Sequence, residues 1–129
     1  MSDDPTVAAI QAAAEIDGAT FAAKMAESSL EAAVDIWLRR VAHRRLTTMQ
    51  RTRLVKAVER GSSPETRVVQ LTRAALMRAA GLDDRPAVAA ATAAGATDGE
   101  VGAVLGISKQ AVSYRMRGYR GTTPVGDTP

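Results

Sequence analysis

Alanine leads the apolar residues of this chain, with valine and leucine next and only one Trp, two Tyr and one Phe. That choice constrains the fold more than any other feature. Alanine loses no side-chain entropy in a helix, whereas sheets draw on β-branched and aromatic residues in alternation. No convincing alternating run is present, so the expected fold class is all-α. Alanine also buries little area per residue, so its helices must pack closely. A core this poor in large side chains favours self-association, and a homodimer is expected. A length of 129 residues suits one domain, or one small domain with an appendage.

The chain has no cysteine and a single histidine, His43. Disulfides, Cys-based zinc sites, iron–sulfur clusters and thiol nucleophiles are excluded, and a His-based metal site has almost nothing to build on. There is no Ser/His/Asp set and no Walker-type loop. No catalytic residue, metal or cofactor is expected, and the chain does not read as an enzyme. His43 reads as an exposed residue or a core residue with a partner, and Asp83-Asp84 read as helix caps. No apolar run has bilayer length, and the start Met-Ser-Asp-Asp-Pro is unlike a secretion signal. The expected location is the cytoplasm, at the nucleoid, with no membrane partner.

The formal charge of +3 hides a division. Residues 1–37 carry seven acids against Lys24 alone, about −6. Residues 38–80 carry eleven bases against Glu59 and Glu65, about +9. Beyond Gly81 the charges cancel. The two blocks can attract each other within one chain or between two, or the basic block can serve a polyanion.

Organisation follows from breaks and caps. Pro5 to Ile16 reads as a short helix with Asp3 or Asp4 near its start, and Asp17-Gly18 as a break. A long helix is expected over about Thr20 to Arg45. Its stripe Leu30, Val34, Trp37, Leu38 and Val41 is the expected dimer or partner seam, with core as the other reading of Trp37. Thr47 or Thr48 caps a third helix that ends at Gly61. Ser62-Ser63-Pro64-Glu65 starts a fourth. It is expected to bury Val68, Leu71, Thr72, Ala75, Leu76 and Ala79, with Arg67, Gln70, Met77 and Arg78 on its other face. Asp83-Asp84-Arg85-Pro86 opens a fifth. The expected divisions are an acidic-to-basic arm over 1–46, a basic middle over 47–82, a DNA-binding unit over 83–120 and a disordered tail over 121–129.

Residues 97–118 carry the strongest signal. Thr97 with Glu100 three residues later forms a capping box. A short helix follows, expected to bury Val101, Val104 and Leu105. Gly106 ends it where φ > 0 is required, and Ile107 plugs the turn. Ser108 caps a second short helix that buries Val112 and Met116. Two short helices joined by such a turn make a helix-turn-helix.

Leu105-Gly106-Ile107-Ser108 followed by Gln110-Ala111-Val112 resembles the turn and second helix of bacterial helix-turn-helix regulators. The LuxR type, sigma-factor region 4 and many small repressors share the pattern. Gly102 stands where such motifs want a small residue, and Val101, Leu105, Ile107 and Val112 stand at their apolar positions. The resemblance covers about 22 residues, or about 35 if the Arg85–Ala94 helix is the first of a three-helix unit. Arg115 departs from the apolar residue many members carry there, with Met116 beside it as a substitute. Gly99 and Gly102 soften the first motif helix.

In this motif the second helix enters the major groove. Lys109, Gln110, Ser113, Tyr114 and Arg117 are the expected base contacts, since Gln pairs with adenine and Lys or Arg with guanine. Thr97, Ser108, Arg115 and Arg120 are expected on phosphates, with Arg40, Arg44 and Arg45 adding backbone contacts. The expected function is sequence-specific binding of double-stranded DNA by a small bacterial transcriptional regulator. The alternative is an architectural, phage or plasmid DNA-maintenance protein with weak sequence preference. The N-terminal helices also suit a protein partner.

Overall fold

A computed structural model describes residues 5–119; the expected tail, Arg120 and the caps Asp3 and Asp4 lie outside them. The described residues form α1 (Pro5–Trp37), α2 (Thr48–Arg60), α3 (Thr66–Ala79), α4 (Arg85–Ala93), α5 (Asp98–Leu105) and α6 (Lys109–Met116), with no strand among them. The fold is all-α, as the alanine content predicts.

The expected break at Asp17-Gly18 is absent. One helix runs from Pro5 to Trp37. A helical glycine costs only about 1 kcal/mol relative to alanine, and the flanking alanines are strong helix formers. Nor does the helix reach Arg45. It widens into a π turn over Leu38–Ala42 and stops at His43, whose φ of 51° is left-handed. The N–H groups of His43 and Arg44 both donate to the Leu38 carbonyl.

α2 starts on the expected cap: Thr47 Oγ1 accepts from Gln50 N–H at 3.1 Å, and Gln50 Oε1 accepts from Thr47 N–H at 2.9 Å. α3 starts after a turn in which Ser63 Oγ accepts from Glu65 N–H and the Ser63 carbonyl accepts from the Thr66 hydroxyl.

Packing divides into two apolar clusters. Leu30, Val34, Trp37 and Leu38 meet Leu54, Val55, Val58 and Val69. Leu71, Ala74, Ala87, Val88, Ala91, Ala96, Val101, Leu105 and Val112 form the other. Fully burying a valine such as Val34 or Val112 contributes about 1.5 kcal/mol or more. α3 supplies residues to both clusters, Val69 to one and Leu71 with Ala74 to the other.

That double role corrects the expected face of α3. Its buried residues are Thr66, Val69, Gln70, Leu71, Arg73 and Ala74, more than a single stripe. Gln70 and Arg73, expected outside or unassigned, are inside. Arg73 Nη1 donates to Gln70 Oε1 at 3.1 Å and its Nε to Ser29 Oγ at 2.9 Å. Burial pushes Arg73 below the ordinary arginine value.

The packing also corrects the seam. Leu30, Val34, Trp37 and Leu38 are buried within their own chain, and only Val41 is exposed. The acidic and basic blocks meet here too: Arg51 donates to both oxygens of Asp35, at 2.5 and 2.9 Å, with Glu31 at 3.6 Å. These carboxylates raise the Arg51 pKa. No helix among the described residues is long and apolar enough to cross a membrane.

Candidate nucleic-acid interface

The capping box at Thr97 forms as the spacing predicts. Thr97 Oγ1 accepts from Glu100 N–H, and Glu100 Oε1 accepts from Thr97 N–H, both at 3.1 Å. At the other end of α5, Gly106 takes a left-handed φ of 74°, which lets its N–H and that of Ile107 return to the Gly102 carbonyl. Ser108 is extended and its Oγ accepts from Ala111 N–H at 3.0 Å, starting α6.

α5 and α6 approach very closely. A Cβ on Gly102 would lie 2.5 Å from the Ile107 carbonyl oxygen and 3.3 Å from Lys109 N. Hydrogen is the only side chain that fits between the first helix and the turn. Val101, Leu105 and Val112 are buried, with Ile107 and Met116 half-buried against them. Val104, expected inside, is exposed instead.

Lys109, Gln110, Ser113, Tyr114 and Arg117 are all exposed. At 3.6 residues per turn they occupy less than half the circumference of α6, away from Val112. Arg117 lies 5.7 Å from the Tyr114 ring centroid. Thr97, Asp98 and Gly99 at the start of α5 line an open groove with Lys109, Gln110 and Ser113. Asp98 is the one acid in that lining. It suits the positive end of its helix and opposes a phosphate placed beside it.

The expected phosphate contacts separate into two groups. Thr97, Ser108, Arg40 and Arg45 are exposed, the two arginines without an ion-pair partner among the described residues. Arg44 is bonded to Glu65 and lies 5.7 Å from the Trp37 ring centroid. Arg115 turns inward, which corrects its reading as a phosphate contact. Its Nη2 donates to Asp84 Oδ1 at 2.5 Å, and Asp84 is 1% exposed. A buried carboxylate holds the guanidinium, because an unpaired charge there would be costly.

Asp84 is the residue that sequence reasoning missed. It reads as a cap, but that role falls to Asp83, whose Oδ1 accepts from Arg85 N–H. A signal existed: the resemblance expects an apolar residue where Arg115 stands, so a charge there calls for a partner. The Arg85 side chain also bonds Asp83 and holds its carboxyl below the usual range. A lowered carboxyl pKa stabilises the fold above the ordinary carboxylate range, and that share is lost as pH falls through the lowered value. The small stability difference between the wild type and Asp83→Asn at pH 6 should shrink as pH falls through the lowered Asp83 value. Unfolding curves at pH 6 and at acid pH check this.

A second missed pair, Arg67 with Glu100, joins the first turn of α3 to α5. Because Glu65 bonds Arg44 two residues earlier, the 43–47 loop and the α5 start lie at the same end of the molecule. Among the described residues no three His, Cys, Asp or Glu side chains group as metal ligands. Comparison with family models, curated proteins and solved structures gave no match.

Proposed function

We propose that the chain binds double-stranded DNA with sequence preference, as a small bacterial transcriptional regulator acting as a homodimer, and that α4, α5 and α6 form its helix-turn-helix unit. One observation carries this reading. The close α5–α6 crossing at Gly102 leaves the N-terminal part of α6 outward, with Lys109, Gln110, Ser113, Tyr114 and Arg117 on one free face. That is the placement a major-groove helix needs. Thr97 and Ser108, at the two helix starts beside this face, suit phosphates. Arg40 and Arg45 add positive charge from the loop end.

Arg44, Arg51, Arg67, Arg85 and Arg115 face carboxylates of their own chain, so they are not counted among the phosphate contacts.

Selection of bound duplexes from a random pool tests the reading. Discrete short sites are expected, and broad coverage without a motif would refute it. On the selected site Lys109→Ala or Arg117→Ala should cost roughly 1–3 kcal/mol and relax the preference. Equal losses on selected and scrambled duplexes would remove the base-reading role. Arg40→Ala and Arg45→Ala should instead weaken both duplexes alike and flatten the salt dependence by about one counterion each.

A further inference from the structure

Residues 5–28 of α1 are exposed on every side, whereas the same helix is held in the core from Leu30 onward. Helices in folded proteins draw most of their stability from packing an apolar face, and this segment packs none. Yet it presents large apolar side chains: Val7 is 38% exposed, Ile10 64%, Phe21 67% and Met25 55%. With Ala14 and Gly18 these fall within an arc of about 80° at 3.6 residues per turn. That stripe lies nearly opposite the Leu30, Val34 and Trp37 face, so the helix cannot turn it toward its own body. Ile16 lies off it.

We infer that this stripe is where a second copy of the chain docks, with the two arms antiparallel. It deepens the homodimer part of the proposed function but rests on the arm alone, not on DNA binding. Two properties point to a second copy. First, the stripe is nearly its own reverse. Val7 and Ile10 at one end, Phe21 and Met25 at the other, flank the small pair Ala14 and Gly18. A two-fold interface requires such self-complementarity, in which residue i meets j and j meets i. Antiparallel arms centred near residue 16 set Val7 against Met25, Ile10 against Phe21, and Ala14 against Gly18. The small pair then lets the helices approach at the centre.

Second, the stripe is a bare apolar surface: Ile10, Phe21 and Met25 are each more than half exposed and Val7 is 38% exposed, and pairing of two copies would take this contiguous apolar face out of water. Glu15 and Glu27 lie off the stripe, and Asp17 at its edge stays in water. The geometry also separates the two bodies. The points where the paired arms enter them, at Leu30 of each copy, lie about 42 Å apart at 1.5 Å per residue.

Sedimentation of the full chain without DNA, at tens of micromolar, tests the pairing. The wild type should have the mass of two copies and Phe21→Glu the mass of one, with Trp37 fluorescence unchanged because Trp37 lies in the body. The chain has no cysteine, so single cysteines report the register. An oxidised mixture of Ala14→Cys and Gly18→Cys should form the unlike disulfide, while each alone should not, its sulfurs being a helical turn apart. A wild-type mass of one copy would overturn the inference and reserve the arm for a different partner. So would a Phe21→Glu protein that stays paired, or Ala14→Cys joining to itself, which marks parallel arms. Selective DNA binding by a single-copy wild type would leave the DNA reading standing while this one fell.

Discussion

Gly102→Ala is expected to destabilise the chain by about 3 kcal/mol or more, lowering its melting temperature by about 10 °C or more. The new methyl carbon would sit 2.5 Å from the Ile107 carbonyl oxygen. That oxygen belongs to backbone between two helices, so no side-chain rotation relieves the contact. Relief requires moving α6 off α5, which uncovers Val101 and Val112. Gly99 supplies the control. A Cβ there meets only Thr97 Oγ1, at an ordinary 3.7 Å. Gly99→Ala should therefore raise stability by up to ~1 kcal/mol through helix propensity alone. Thermal melts of both variants decide the matter. A Gly102→Ala melt within a degree or two of wild type would show that the turn yields.

The second large effect is expected at Asp84. Asp84→Ala strands the Arg115 guanidinium in a partly buried position, at a cost of about 2–3 kcal/mol. The lower end of the range for broken buried pairs applies because Arg115 keeps a 31% exposed side chain. Replacing Arg115 as well, by Met, should recover much of the loss, since an apolar residue suits that position. A double-mutant cycle by denaturant unfolding measures the coupling. Additive losses would mean that Asp84 acts through something other than Arg115.

These two predictions mark where sequence reasoning is strong and where it stops. Local chemistry was legible: the capping box at Thr97, the cap at Ser108, the left-handed Gly106 and the small Gly102 all follow from rules spanning four or five residues. The outward face of α6 follows from the same periodicity. What depends on distant packing was not legible. Nothing near Gln70 or Arg73 shows that α3 is covered on two sides and that these polar groups satisfy each other inside. The burial of Leu30, Val34, Trp37 and Leu38 within one chain depends on where α2 and α3 fall, which no stripe can state. The continuity of α1 through Gly18 was a matter of weights, one poor residue against many good ones.

The position of α3 between the two apolar clusters bears on how portable the C-terminal unit is. A fragment beginning at Asp83 would leave behind Leu71 and Ala74, and expose the faces of Ala87, Ala91 and Val101 that they cover. Cutting earlier, at the Gly61–Ser63 turn, retains α3 but bares Val69, which belongs with Trp37 and Val58. Neither cut yields a self-sufficient cassette. Grafting α5 and α6 onto another scaffold would need a surrogate for α3, so the outward face of α6 is more readily changed by substitution in place than by exchange of the whole unit.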